Sequence, residues 1–450
     1  MQIGRKDVFW NYCATFLQLG VALLIFPFIL HALPSETVAI WIIFLTITAL
    51  INLLDFGFNP SFMRNVSYVF SGARKLKSTG FYVVEDTSAS VDWGLLKGLI
   101  GAMRFFYSRM AIALCVVLIT IGSYYVYTLL KGYSGNHFEV YLSWIMVCCI
   151  NSYSFYTLYY DSLLLGKGMV TRAKQITIIG HLVYLFAVIV LILLGFGLVA
   201  IVSAQALSVI IKRVLSYRSF YTVEIKDILQ KNERKSQRKI LKAIYPNAIK
   251  IGITSVGGFL VSKSAIILGS LYLSLEVIAS YGITIQVITI IAGIATVYFS
   301  SYQPKMMQYR IQNNIYEIKR IYLKTCFLIF FTYIIGGAGL LVFGDWALNL
   351  IDSKTLLLNQ SLVILALFLS FVENNISCAG GFLLTKNDVP FFKAAIISGL
   401  CIVIGILLVL KYMDLGVLGL LFVPLSVHIS YSAWKWPWEV IKDLQILNKS

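Results

Sequence analysis

Lys263, flanked by Ser262 and Ser264, is an ammonium inside a long apolar run, and Glu373, followed by Asn374 and Asn375, is a carboxylate inside another. A charge near the centre of a bilayer costs on the order of several kcal/mol, so it faces a partner or a wet cavity. Lys250 and Arg64 are the other cations beside apolar runs, and Asp161 and Asp55 the other carboxylates. Cations so placed attract an anion. Carboxylates so placed resist ionisation and can carry a proton near neutrality. Two readings of Lys263 are open. It pairs with Asp55, Asp161 or Glu373 or snorkels to a headgroup, or it lines a cavity that receives an anion. Glu373 is either a proton or cation site or a hydrogen-bond partner of a neighbouring helix. Asp55 and Arg64 read first as a charge pair at a helix end.

Asn151, Ser154, Thr157 and Asp161 recur at spacings of 3, 3 and 4, which is one helix face turned from lipid. Tyr153, Tyr156 and Tyr160 form an adjacent face, either packing rings or rings that stack on a sugar. His181 and His428 read as packing residues. No catalytic constellation appears: the histidines lack acidic partners at motif spacing, and no Gly-rich phosphate loop follows a strand pattern. The seven cysteines form no CxxC pair and read as small buried hydrophobes. An enzyme, a cofactor and a metal are therefore not expected.

The elements that hold these residues are membrane helices. The chain is 59% hydrophobic and 13% charged, with a mean hydropathy of +0.83, whereas soluble chains are roughly 25% charged. About twelve apolar runs of span length fit at 8–31, 38–58, 106–130, 141–165, 175–194, 197–214, 246–270, 277–299, 322–343, 356–384, 391–410 and 415–433. The first is too long for a signal-peptide core and reads as a retained helix. Of the 37 Lys and Arg, 33 fall at the termini-side loops and span ends and 3 at the opposite ones. That bias puts both termini in the cytoplasm. It also explains the net charge of +17 by contact with anionic lipid rather than nucleic acid.

Residues 215–245, rich in Lys and Arg, read as a cytoplasmic linker, with docking or regulation as the lesser reading. Trp93–Arg109 reads as a helix lying on the inner leaflet before span 3. The tail 434–450 opens with Trp434, Trp436 and Trp438 around Lys435, a headgroup anchor.

The chain also repeats itself. Leu164-Leu165, Lys167, Val170, Lys174, Ile178 and Gly180 recur at one constant offset as Leu383-Leu384, Lys386, Val389, Lys393, Ile397 and Gly399. Leu33, Ser35, Glu36 and Ala39 recur at a somewhat larger offset as Leu273, Ser274, Glu276 and Ala279, and Pro60 corresponds to Pro304. The drop in offset matches the longer loop after span 2. The expected architecture is an all-α polytopic membrane protein with two pseudo-symmetric six-helix bundles, 1–214 and 246–433. A parallel repeat of this kind builds transporters with a path between the halves.

Leu54-Asp55-Phe56-Gly57-Phe58 with Arg64 after span 2, then Ile267-Leu268-Gly269-Ser270, Glu276 and Ala279-Ser280-Tyr281-Gly282-Ile283, resemble a known family. It is the polysaccharide-exporter branch of the multidrug/oligosaccharidyl-lipid/polysaccharide (MOP) transporter superfamily, with the O-antigen flippases as the nearest likeness. The resemblance covers nearly the whole chain. It implies alternating access and a polyprenyl-pyrophosphate-linked oligosaccharide crossing a bacterial inner membrane, with membrane lipids as surroundings. A proton or sodium counter-ion and a glycan polymerase are the implied partners. Lys263, Lys250 and Arg64 would meet the pyrophosphate, Tyr156 and Tyr160 the sugar, and Glu373, Asp161 and Asp55 the ion. The alternative is an ion-coupled multidrug antiporter of the same superfamily, which would favour acidic over basic groups.

Overall fold

The computed structural model describes residues 5–53, 55, 58–70, 72, 91–233, 235–311, 314–384 and 390–444. Leu54, Phe56, Gly57, Lys386 and Val389 lie outside the described residues, as does the side chain of Lys250. The chain is an all-α polytopic membrane protein. Its helices are α1 (Arg5–Ala32), α2 (Ser35–Leu53), α3 (Phe58–Phe70), α4 (Trp93–Val117), α5 (Ser123–Leu130), α6 (His137–Tyr156), α7 (Tyr159–Gly166), α8 (Val170–Leu193), α9 (Gly197–Phe220) and α10 (Val223–Lys231). There follow α11 (Gln237–Tyr272), α12 (Leu275–Ile311), α13 (Ile315–Leu350), α14 (Gln360–Leu384), α15 (Phe392–Tyr412), α16 (Gly416–Val427) and α17 (Ala433–Asp443). π-Helical turns at Leu118–Gly122 and His428–Ser432 join α4 to α5 and α16 to α17.

Among the described residues, eight helical stretches are long and apolar enough to cross a membrane, with shorter apolar helices at Ser35–Ala49 and Val256–Tyr272. Helices satisfy their own backbone polar groups, which hydrocarbon demands. Large side chains such as Phe186 and Ile335 can therefore stay exposed along them.

Contacts divide the chain into two compact units. The first holds residues 1–33 and 44–255, and the second holds 34–43 and 256–450. In the first unit, the expected surface helix at Trp93–Arg109 is corrected: α4 starts there and runs unbroken to Val117. Asp92 caps it, accepting from Leu95 N at 2.8 Å. Leu95, Leu96, Leu99, Met103 and Tyr107 are all buried, so this stretch has a protein-facing side where a leaflet-facing one was expected.

The opposite feature of α4 is a groove. Gly94 and Gly98 are one turn apart on one face. A Cβ on either would meet the backbone of Glu233 or Lys235 at 2.8 Å. The linker lies in that groove. Lys97 Nζ donates to the Asn232 carbonyl at 2.8 Å, and Lys235 N donates to the Gly94 carbonyl at 3.3 Å. The Lys235 ammonium also meets Asp92, and Ile240 is buried beside Gly98.

In the second unit, α11 and α15 approach closely at Gly257 and Gly399, where an added Cβ would strike the facing backbone. Small residues permit such approach where the solvent is lipid. An apolar core gathers Tyr322, Ala379, Phe382, Trp436 and Val440. Trp436 is 5% exposed, which corrects its reading as a headgroup anchor; Trp434 and Trp438 remain exposed. The reason is that α17 continues the last span, so its apolar face packs on α14.

Backbone geometry follows the repeat. α1 ends at Ala32 and α11 at Tyr272, and the next helices begin at Ser35 and Leu275, so both boundaries recur at the offset that relates Leu33 to Leu273. Gly195 (φ 82°) and Gly197 (φ 54°) turn the chain between α8 and α9. Asp414 (φ 45°) and Gly416 (φ 49°) do the same between α15 and α16, at the offset that relates Gly180 to Gly399. A left-handed residue at both places of both turns is a stricter match than the sequence alone offers.

Candidate functional site

In the first unit, α7, α8 and α9 enclose a cavity of about 330 Å³. Asp161 reaches it from α7, Lys174 and Thr177 from α8, and Lys212, Arg213 and Ser216 from α9. Arg213 Nη1 stands 2.9 Å from both carboxylate oxygens of Asp161. The arginine is 11% exposed and the aspartate 40%. Lys174 and Lys212 make no hydrogen bond or ion pair among the described residues. Lys212 reaches its place by crossing α8 at Gly180, where any Cβ would overlap its methylene stem. Ser208 Oγ fixes that crossing by donating to the Gly180 carbonyl at 2.7 Å. A second hollow of about 150 Å³ adjoins, lined by Thr48, Asn151 and Gln205. Ser154, Val209 and Arg213 line both.

Of the expected polar stripe, Asn151, Ser154 and Asp161 do line these hollows, while Thr157 is buried and bonded to the Tyr153 carbonyl at 2.7 Å. Tyr156 and Tyr160 do not line them. Tyr160 packs against Tyr159 (centroids 4.5 Å apart) and Tyr217 (5.9 Å). That cluster surrounds Arg104, which donates to the hydroxyls of Tyr159 and Tyr221 at 3.3 Å each. Asp55 is buried and accepts from Tyr107 Oη at 2.6 Å and Asn59 N at 2.8 Å. Arg64 is exposed on α3 and forms no pair with it, so the expected Asp55–Arg64 pair is corrected. Asp55 instead holds the start of α3, where helix N–H groups lack partners.

In the second unit, Glu373 lies midway along α14. His428 Nε2, from the π-turn, is 3.6 Å from Glu373 Oε1. The imidazole is 5% exposed, and neither ring nitrogen has a hydrogen-bond partner. His428, read as a packing residue, is buried as that reading expects, and an acidic side chain from another helix, Glu373, lies beside it, which motif spacing could not show. Lys263 is half-buried on α11 and forms no ion pair among the described residues. Tyr281 on α12 and Tyr333 on α13 are buried. Nearby polar groups satisfy one another: Tyr333 Oη lies 2.7 Å from Ser370 Oγ, and Asn374 Nδ2 donates to Tyr333 Oη at 3.2 Å.

Sequence reasoning missed Lys212, Arg213 and Arg104. The signal for the first two was that both fall inside the expected span 197–214, and α9 in fact runs to Phe220, nearly two turns further. A boundary drawn by hydropathy leaves both at the interface.

No family model and no curated protein matches the sequence. Solved structures do. An inward-facing multidrug resistance MATE family transporter of the MOP superfamily aligns over 96% of both chains at 15% identity, TM-score 0.60. The lipid II flippase MurJ, in an inward closed conformation, aligns over 98% of this chain and 89% of its own at 14% identity, TM-score 0.60. An outward-facing MATE structure aligns at TM-score 0.52, 16% identity, over 98% and 95%. The chain has the MATE and MurJ fold. That fold is a transporter's in these neighbours, not an enzyme's, and in this chain the MATE and MurJ fold carries a cationic cavity in one unit and a carboxylate–imidazole pair in the other.

Proposed function

We propose that this protein is a flippase. It moves a polyprenyl-pyrophosphate-linked oligosaccharide of the O-antigen repeat-unit type from the cytoplasmic to the outer face of a bacterial inner membrane, by alternating access. The observation that carries the reading is the charge of the first unit's cavity: three cations face one carboxylate, two positive charges in excess. A doubly charged pyrophosphate diester answers that excess, and Arg and Lys are the donors that hold phosphate oxygens. Sugar and pyrophosphate cannot enter hydrocarbon unaided, and compensating charge in a wet cavity lowers that barrier. We assign Lys174, Lys212 and Arg213 to the pyrophosphate, and Glu373 serves the counter-ion. The likeness to MurJ, a lipid II flippase by description, supports a lipid-linked cargo. Both termini then face the cytoplasm, and a glycan polymerase is the natural companion.

The MATE likeness favours a second reading, an ion-coupled multidrug antiporter. A cationic drug would meet repulsion in this cavity, which ranks that reading lower.

Binding of inorganic pyrophosphate to the reconstituted protein tests the assignment. Lys212→Met and Arg213→Gln are each expected to weaken it about tenfold, roughly 1.4 kcal/mol. Unchanged affinity in both variants refutes the pyrophosphate seat. A strain lacking the gene should lose surface glycan and keep its drug tolerance; the reverse result would install the antiporter.

A further inference from the structure

We propose, resting on the flippase reading, that the smaller hollow of the first unit seats the sugar bonded directly to the pyrophosphate, and that Gln205, Ser154 and Asn151 recognise it. An uncharged pyranose is the chemistry these groups fit. The hollow measures about 150 Å³, which is room for about five waters, hence for one sugar ring and not for a pair. It adjoins the cationic cavity, and Arg213 lines both. A phosphate held by that guanidinium therefore has its next bonded group at the mouth of the hollow.

The order of residues along α9 sets the order of the ligand groups. Gln205, Val209 and Arg213 follow one another at intervals of four, on one helix face. From Arg213 to Gln205 that face runs about 12 Å, at ~1.5 Å per residue, and passes from a cation to a neutral carboxamide. Among the described residues that line the hollow, Arg213 is the only charged one. Such a change of lining separates an anionic group from a neutral polar one.

The free polar atoms match a sugar. Asn151 Nδ2 donates to Thr48 Oγ1 at 3.3 Å and to the Val147 carbonyl at 2.9 Å. Both its protons are engaged, so its Oδ1 is left to accept. Thr48 Oγ1 is taken as well, since it donates to the Phe44 carbonyl at 2.9 Å. The Gln205 carboxamide and the Ser154 hydroxyl are half-buried and make no hydrogen bond among the described residues. Polar groups so placed in membrane helices need partners. Sugar hydroxyls, each a donor and an acceptor, answer all three. Phe155 and Leu158 supply an apolar wall for the C–H face of the ring. A bare cation fits worse, because Arg213 stands in the same wall. Tyr156 and Tyr160, expected to meet the sugar, lie outside the hollow, and these residues take their part.

Calorimetric titration of the full-length reconstituted protein tests this. The probes are inorganic phosphate and the 1-phosphates of α-D-glucose, α-D-galactose and N-acetyl-α-D-glucosamine, which differ from it by the ring. At least one sugar phosphate is expected to bind about tenfold tighter than phosphate. In Gln205→Leu that ratio should fall to about twofold or less. Ser154→Ala should lower the ratio about threefold, and it keeps the test intact should Gln205→Leu not fold. Equal affinities for phosphate and every sugar phosphate, or a ratio unmoved in both variants, overturn the sugar seat and leave the pyrophosphate seat standing. Binding of no probe at all sinks both seats. A preference that depends on Gln205, in a protein whose loss leaves surface glycan intact, supports the sugar seat and sinks the flippase reading alone.

Discussion

Arg213 lies deeper than the carboxylate that neutralises it: its Nη1 is 2.9 Å from both oxygens of Asp161, yet the arginine is 11% exposed and the aspartate 40%. The aspartate thus occupies the approach an incoming anion must use. Asp161→Asn removes that competitor. Pyrophosphate affinity is expected to rise about tenfold, roughly 1.4 kcal/mol, while the ligand-free protein loses about 1–2 kcal/mol because a largely buried cation loses its partner. Thermal unfolding in detergent, with and without pyrophosphate, reads both effects. A variant that binds more weakly than the parent would show that Asp161 belongs to the seat.

Gly180 is the notch through which Lys212 passes. Gly180→Ala should force the flexible lysine stem aside while the helix itself gains up to about 1 kcal/mol of propensity. Pyrophosphate affinity should fall about tenfold with the unfolding temperature level or higher. An unchanged affinity would mean that Lys212 does not meet the ligand.

Trp436 belongs to a packed core and its neighbours in sequence do not. Trp436→Ala should cost about 3–5 kcal/mol, whereas Trp434→Ala should cost under about 0.5 kcal/mol. Equal unfolding temperatures for the two variants would restore the view of the whole tail as a surface anchor.

The helical membrane architecture was legible because hydrocarbon imposes long apolar runs, and the repeat was legible because its offsets are shared. The site was less so. Lys263 and Glu373 stood out as charges in apolar sequence, but the partner of Glu373 comes from beyond α15 and α16, on a turn with no motif. Lys212 and Arg213 fall inside the expected span 197–214 but at its polar end, and hydropathy marks where a span becomes polar and not where the helix stops. Asp55 and Arg64 looked paired by proximity in sequence. The α3 start and Tyr107, from a helix beyond a long connection, claimed Asp55 instead.

The linker seated on Gly94 and Gly98 bears on how the gene could be divided. A break after Lys231 would not release two self-sufficient pieces. The downstream fragment would carry off Asn232, Glu233, Lys235 and Ile240, which meet the α4 groove, and the upstream fragment would bare two glycines and a stranded Lys97. Splitting this chain into co-expressed halves, or threading an insert into its basic connection, therefore has its tolerant point elsewhere than the sequence of that connection suggests.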